Sequence, residues 1–239
     1  METKTVESSI ASTVGKLLRD NFGKGPEAIY VSVAAPFVTI YLRNFLAPIE
    51  KVLYNQDNRV RIQKTRDLLM NELLPEIRAI LSSETKQPVS KVFYDWSLDN
   101  KTGVIFTELD TDEVCHECHD YIGKEKVHSE IYRFTEKVQK APTSQDSFKL
   151  NSRTLVSRRD DILVLIEKEL INSGFEEQLR LSKRKLEKSM LNVSYIEYAL
   201  GQEIADIFVD WDFDEDRGYI VFILNPKQKN NSRVEMSGQ

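Results

Sequence analysis

The chain contains one eight-residue stretch in two versions, and this repeat decides the fold. The two versions are Val92-Phe93-Tyr94-Asp95-Trp96-Ser97-Leu98-Asp99 and Ile207-Phe208-Val209-Asp210-Trp211-Asp212-Phe213-Asp214. A glycine follows each stretch, as Gly103 and Gly218, and the glycines are 115 positions apart, like the paired aspartates and tryptophans. Because the register is kept without a gap, we interpret the chain as two tandem copies of one domain.

The composition is that of a globular protein, with 41% hydrophobic and 30% charged residues among 239. The longest apolar runs, such as residues 34–42, are shorter than the roughly 20 residues that cross a bilayer. Residues 1–7 lack the apolar segment of a secretory signal, so we expect a cytoplasmic protein. The net charge of −5 argues against a general nucleic-acid binder, because phosphate binding needs dense positive charge.

Hydrophobic periodicity predicts the order helix-β-β-helix-helix-β-β in each copy. We therefore expect an α+β fold in which a largely antiparallel four-stranded sheet packs on helices in each repeat. A pseudo-twofold axis is expected to relate the repeats, as it would relate two subunits of a dimer. From the N-terminus, we predict a first repeat at 1–112, a linker at 113–126 and a second, more divergent repeat at 127–226. A polar tail at 227–239 is expected to be disordered.

The longest helix of each copy carries a specific expectation. In the first copy, residues 58–83 have a helical apolar stripe that contains Pro75, so we expect a kink or a break near Leu73. In the second copy, the stripe is predicted to be rebuilt by Leu179, Leu186, Met190, Val193 and Ile196.

Several of these motifs together resemble the MpsC (YbcI-like) domain, a small bacterial family. The motifs are Gly23-Lys24-Gly25-Pro26, the hydrophobic hairpin after it, Leu46-Ala47-Pro48-Ile49-Glu50-Lys51, Leu73-Leu74-Pro75-Glu76 and the closing strand with Asp95. The resemblance covers the first unit and the middle and end of the second. It implies an accessory role beside a sodium-translocating, membrane-potential-generating system, whose companion subunits are associated with inorganic-carbon uptake, and a protein partner that is itself membrane-associated.

The recurring Asp95-Trp96 and Asp210-Trp211 pairs are candidate residues for binding a partner or ligand. An indole face beside a carboxylate can hold a ligand. A recurring strand tryptophan is more often part of a core or a subunit interface, and the turn residues after each pair differ between the copies. We therefore favour a scaffold role for these pairs.

One cluster of cysteine and histidine could carry chemistry. Cys115, Cys118 and His119 lie within five residues, and His128 follows a short way on. Thiolate and imidazole are ligands of zinc and other transition metals, so these four residues are candidate metal ligands and such a metal is the candidate cofactor. A redox dithiol is an alternative, although cysteines at this spacing can be bridged only outside a regular helix. An inert polar linker is the third interpretation; c-type haem attachment is discounted because an export signal is lacking.

A basic run on the second long helix contains Arg180, Lys183, Arg184, Lys185 and Lys188. A solvated helix face is the expected role of such a run. The alternative is docking to an acidic partner or to anionic lipid headgroups.

The sequence contains no recognisable catalytic arrangement, so we expect a protein that is not an enzyme. The leading hypothesis is a cytoplasmic accessory or regulatory protein that binds a protein partner. The rival is a metal- or redox-responsive protein that uses residues 115–119. A small-molecule enzyme would need a polar pocket between the sheets, and association of the whole chain as a homodimer stays open.

Overall fold

The computed structural model describes residues 5–111 and 115–226, and it contains two repeats whose elements follow the same order, except that the second repeat has one additional helix before its last two strands. The first repeat consists of α1 (Val6–Phe22), β1 (Ala28–Ala34), β2 (Phe37–Arg43), α2 (Pro48–Asn55), α3 (Arg59–Thr85), β3 (Phe93–Ser97) and β4 (Thr102–Glu108). A short helix, α4 (His116–His119), leads into the second repeat. The second repeat consists of α5 (Lys124–Val138), β5 (Ser144–Lys149), β6 (Thr154–Asp160), α6 (Leu165–Asn172), α7 (Glu176–Met190), α8 (Val193–Leu200), β7 (Ile204–Asp212) and β8 (Arg217–Leu224).

Each repeat forms one four-stranded antiparallel sheet, and the two sheets have the same topology. The strand orders are β1-β2-β4-β3 and β5-β6-β8-β7. The register is also repeated, because Trp96 pairs with Gly103 and Trp211 pairs with Gly218. The predicted α+β fold with two tandem four-stranded repeats is therefore confirmed.

Each sheet has helices on one face and the other sheet on its opposite face. Along β3, Tyr94 and Trp96 pack into the core beneath the helices, whereas Phe93 points into a cluster shared by both repeats. This intersheet cluster consists of Phe37, Tyr41, Phe93, Val104, Phe106, Cys118, Phe148, Leu150, Val156, Phe208, Tyr219, Val221 and Ile223. Strand alternation thus supplies two apolar faces per sheet, and the repeats are joined by burial of the inner ones.

The glycine opposite each tryptophan makes room for the indole ring. A Cβ atom at Gly103 would lie 2.2 Å from Trp96 Cε3, a distance that real atoms do not tolerate. A Cβ atom at Gly218 would meet the end of the Ile162 side chain at 2.5 Å and Trp211 Cδ1 at 3.1 Å. The repeated glycine is therefore required by packing.

The expected break near Leu73 does not occur, since α3 runs from Arg59 to Thr85 with Pro75 inside, and the alternative of a kink there stays a prediction. A proline removes one backbone donor from the helix ladder. The remaining turns of α3 are anchored by buried residues on both sides, among them Met70, Leu73, Ile77 and Leu81.

The second long helix is interrupted where the sequence predicted one continuous stripe. Helix α7 ends at Met190, and α8 begins at Val193 after Asn192, whose side chain accepts a hydrogen bond from the Tyr195 N–H. Asn192 therefore acts as an N-cap that starts a new helix. Leu186 is 47% exposed, so its assignment to the buried stripe is wrong.

The boundary predictions are only partly within the described residues. Helix α5 begins at Lys124, three positions before the predicted start of the second repeat, and α4 lies inside the predicted linker. The predicted disordered tail, residues 227–239, lies outside the described residues.

Replacing Gly103 by alanine should destabilise the protein more than replacing Gly218. The Gly103 methyl group would press on a buried indole ring, whereas the first contact of the Gly218 methyl group is the movable end of an isoleucine. We expect a loss of about 1–3 kcal/mol in unfolding free energy for Gly103→Ala, measured by urea denaturation. Gly25→Ala is the control, since its methyl group would meet the exposed Arg19 side chain at 3.2 Å and the Gly15 carbonyl oxygen at an ordinary contact distance of 3.6 Å. Equal losses for Gly103→Ala and Gly25→Ala would contradict this packing argument.

Candidate functional site at the junction of the repeats

Asp95 and Asp210 meet where the edge strands β3 and β7 come together, and each binds the other strand. The Val209 N–H donates to Asp95 Oδ2 (2.9 Å), and the Tyr94 N–H donates to Asp210 Oδ2 (3.0 Å). Both carboxylates are almost completely buried. Because the donors and acceptors are at equivalent positions of the two copies, the pseudo-twofold axis relates these two bonds to each other.

The same carboxylates also fix their own strands. Asp95 Oδ1 accepts from the Trp96 N–H (2.7 Å), and Asp210 Oδ1 accepts from the Trp211 N–H (2.9 Å). An edge strand has backbone donors that its own sheet leaves unpaired, and a buried donor without a partner costs free energy. The carboxylates therefore replace the hydrogen-bond ladder that β3 and β7 do not form with each other.

Helix α7 supplies the positive charge that these buried carboxylates require. Arg180, Arg184 and Lys188 follow one another at intervals of four residues, so they lie along one face of the helix. Lys188 Nζ lies 2.5 Å from Asp95 Oδ2 and donates to the Trp96 carbonyl oxygen (3.2 Å). Arg180 forms the equivalent pair with Asp210.

Arg184 lies between these two pairs and is buried against three carboxylates. It donates to the Tyr94 carbonyl oxygen (2.9 Å), and its Nη1 lies 3.2 Å from Asp67 Oδ1. Its guanidinium nitrogens are also 3.6 Å from Asp95 Oδ1 and 3.8 Å from Asp210 Oδ2. Burial alone would lower the pKa of Arg184, but the carboxylates outweigh burial and the net direction is upward. Arg184 is therefore a fixed cation at the junction.

Asp67 and Arg184 occupy the same position in the two repeats. They are 117 positions apart, as are Glu50 and Glu167 at the short helices α2 and α6. Burial raises the pKa of Asp67, although the charge of Arg184 acts in the opposite direction. The pair thus joins equivalent helices across the axis through unlike charges, which identical subunits could not do.

The expectation that the basic run forms a solvated face is wrong for its central residues. Lys183 and Arg184 are buried, and Lys185 alone among the five is fully on the exposed side. Lys183 Nζ lies 2.7 Å from Glu167 Oε1, which repeats the buried pair of Arg66 with Glu50, also 2.7 Å. Lys183 and Arg184 are buried because they neutralise carboxylates inside the protein.

A second buried ion pair distinguishes the copies, and sequence reasoning missed it. Arg159 Nη2 lies 2.8 Å from Glu187 Oε2, and both side chains are fully buried. The equivalent residues of the first repeat, 117 positions earlier, are Leu42 and Met70, which are both in its hydrophobic core. Once the 117-residue offset between the repeats is known, the sequence shows this difference, because two apolar residues of the first repeat correspond to a base and an acid in the second.

The two tryptophans named as candidates for ligand or partner binding are core residues, in line with the scaffold role that the sequence favoured. Trp96 and Trp211 are at most 2% exposed. The Arg66 guanidinium lies 4.6 Å from the Trp96 ring centre, and Trp211 Nε1 donates to Glu187 Oε1 (3.1 Å). All four predicted partner-binding residues therefore contact other parts of this chain, and a ligand role for them stays a prediction.

The cysteine cluster forms a disulfide bond between Cys115 and Cys118. Cys115 precedes α4 with an extended backbone, which is the departure from regular helix that this spacing requires. Its N–H donates to the Ala35 carbonyl oxygen (2.8 Å), and Cys118 is buried in the intersheet cluster. The Cys115 N–H bond thus ties the connection between repeats to the β1–β2 turn, and the disulfide joins this point to the intersheet cluster.

The two candidate histidine ligands contact other groups. His119 Nδ1 lies 3.2 Å from Asp146 Oδ2, and His128 Nε2 lies 2.7 Å from Ser147 Oγ. Burial lowers the pKa of His128, and the charge of Lys124 adds to this effect.

The metal site predicted from Cys115, Cys118, His119 and His128 is not assembled in the structure. Within residues 5–111 and 115–226, no group of three or more histidine, cysteine, aspartate or glutamate side chains is placed to hold a metal ion. Zinc or another transition metal as cofactor stays a prediction for the reduced protein, because a disulfide removes both thiolate ligands.

Together, fold and junction define a tandemly duplicated α+β protein whose repeats pair as the subunits of a dimer would. The family model described as the Na+-translocating membrane potential-generating system (MpsC) matches residues 2–111 and again residues 124–226. The chain belongs to this family, with one copy of the domain in each repeat. Neither a curated protein nor a solved structure matches the chain significantly. Among the described helices, none is both long and apolar enough to span a membrane.

Removing one junction carboxylate should be severely destabilising. Asp95→Ala leaves the Val209 N–H without its acceptor and leaves Lys188 and Arg184 with less compensating charge. Breaking a buried ion pair from one side costs about 3–5 kcal/mol, so we expect a loss of that size in urea denaturation. Asp99→Ala is the matched control, because that side chain is 73% exposed and exposed pairs contribute about 1 kcal/mol or less. A loss for Asp95→Ala no larger than for Asp99→Ala would refute the structural role of the junction.

Proposed function

We propose that this chain is a non-enzymatic accessory or regulatory protein of the cytoplasm, and that it binds a membrane-associated protein of a sodium-translocating, membrane-potential-generating system. The observation that carries the proposal is the family match over both repeats. The link of such systems with inorganic-carbon uptake, implied by the family resemblance, is part of the proposal.

The chemistry of the repeated carboxylates supports a role other than catalysis. Asp95 and Asp210 accept backbone hydrogen bonds from both strands and are paired with cations of α7. A general acid or base must reach a substrate proton. These side chains are instead used to hold the two repeats together, which suits a scaffold that presents surfaces to a partner.

The test of this proposal uses the tagged full-length chain in its native cells. After crosslinking in intact cells, we expect an integral membrane protein of the sodium-translocating system to be recovered with the chain. Deleting the gene should lower the sodium-dependent membrane potential of membrane vesicles, measured with a potential-sensitive dye, and the wild-type gene should restore it. The control is an unrelated acidic protein with the same tag. Recovery of no membrane protein above that control, together with an unchanged potential, would overturn the proposal.

A second candidate function, a redox-responsive protein, is favoured by the disulfide. The bond joins two cysteines that anchor the connection between repeats at Ala35 and in the intersheet cluster. Reduction by a dithiol would break the sulfur–sulfur bond, yield two cysteine thiols and convert the reductant into its own disulfide. The connection could then move without unfolding either sheet.

Reduction should therefore change hydrogen exchange locally. We expect faster amide exchange at residues 115–122 after dithiothreitol treatment, with exchange in β2 and β8 unchanged. The Cys115→Ser/Cys118→Ser variant should exchange rapidly with or without reductant. Identical exchange in oxidised and reduced wild-type protein would exclude the redox proposal. Stoichiometric metal in untagged reduced protein, lost in the double variant, would favour the metal-responsive alternative instead.

A further inference from the structure

The outer strand of the first sheet, β1, has an open edge. Among the described strands, its single sheet neighbour is β2. Alternate residues of an outer strand direct their N–H and C=O groups away from the sheet, where another strand can bind them. Ser32 is the one buried residue of β1, and Tyr30 is 43% exposed.

The sequence of β1 lacks the features that usually protect an edge. Residues Ala28–Ala34 include neither a charged side chain nor a proline, both of which discourage pairing. The equivalent strand of the second repeat, β5, contains Asp146 and Lys149, and α4 packs against it in addition to α5, whereas α1 is the one helix with extensive contacts to β1 among the described elements. The two outer edges have therefore diverged, and the first is suited to accept another strand.

A groove of about 620 Å³ lies between α1 and the start of β1, where Ala28 and Ile29 line it. The helix approaches the strand closely at Gly15, where an added Cβ atom would lie 2.7 Å from Ile29 Cδ1. Strand edges beside a helix bind extended peptides through backbone hydrogen bonds, and the groove beside the strand selects side chains.

The groove carries unpaired positive charge. Lys16 and Arg19 line it, and both are exposed. Neither forms an ion pair with any residue in the described part of the chain. The acidic Glu27 also lines the groove, and it keeps its charge because its partner is the neutral amide Asn44 Nδ2, at 2.6 Å. Two cations and one anion give the charged lining a net charge of +1, and an occupant with carboxylates would complement Lys16 and Arg19.

We infer that β1 and this groove bind an extended, acidic segment of the partner protein, which adds to the sheet as a fifth strand. Its backbone pairs with β1, and its carboxylates contact Lys16 and Arg19. The inference rests on the proposed function, because it names the surface that the partner uses. A second copy of this chain is a poorer occupant, because its own β1 carries no carboxylate to contact Lys16 and Arg19.

The test uses a short peptide that alternates valine with glutamate, added to the full-length protein labelled with ¹⁵N. We expect saturable amide shifts confined to β1 and α1. The Lys16→Glu/Arg19→Glu variant should bind about tenfold more weakly or worse, since attraction becomes repulsion. The matched control is Arg61→Glu/Lys64→Glu, which makes the same charge change at the same spacing on an exposed face of α3. This control should bind as wild type does.

Backbone pairing is tested separately with the same peptide carrying N-methyl groups on alternate residues of its hydrogen-bonding edge. This peptide should not bind, although its charge is unchanged. Absence of β1 shifts at millimolar peptide, equal binding by a valine–lysine peptide, or equal binding by Lys16→Glu/Arg19→Glu would each overturn the inference.

Two further outcomes separate this inference from its alternatives. A concentration-dependent dimer with shifts at β1 in the absence of peptide would overturn it in favour of a second copy. If the tagged Lys16→Glu/Arg19→Glu chain recovers the membrane protein as well as wild type does, the groove inference fails while the proposed function stands.

Discussion

The structure depends on the burial of charge where two edge strands meet. Asp95 and Asp210 hold β3 and β7 together by accepting backbone hydrogen bonds in both directions. Burying these carboxylates is costly unless cations and donors surround them. Helix α7 meets that requirement with a row of basic residues, and the position of α7 over the junction follows from it. The apolar contact between the sheets buries surface area. The hydrogen bonds of Asp95 and Asp210 set the register of β3 against β7, because each carboxylate accepts from one backbone N–H of its own strand and one of the other strand.

The two repeats differ in the charge of buried residues at equivalent positions. Identical subunits around a twofold axis must place identical side chains against each other near that axis. Here Asp67 faces Arg184, so the equivalent positions carry opposite charges. A second divergence lies within the second repeat, where the Arg159–Glu187 pair stands in place of Leu42 and Met70. Each change is coupled to another change, because a buried charge without its partner is destabilising.

The repeated Asp-Trp motif and its glycine predicted the tandem duplication, and hydrophobic periodicity predicted the elements of each copy. The motif is informative because it fixes the register of the closing hairpin in both copies. The sequence was less informative about α7. Periodicity treats lysine and arginine as solvent-facing, so it cannot show that Lys183 and Arg184 are buried by distant carboxylates. The disulfide was one of several interpretations of Cys115 and Cys118, since spacing alone does not separate a bridge from a metal site. Predicting the junction of β3 and β7 would have required knowing that these strands are neighbours. The residues that Asp95 and Asp210 bind across the junction are more than a hundred positions away in the sequence.

The pairing of Asp67 with Arg184 has an evolutionary consequence. A gene that lost either half would encode a single domain whose symmetric dimer brings two aspartates or two arginines together in a buried site. Neither arrangement is stable without compensating substitutions. Once both positions had changed, the fused gene could no longer return to separate, self-pairing subunits by simple deletion. The ion pair therefore favours keeping the two domains in one chain, and their outer surfaces are free to diverge.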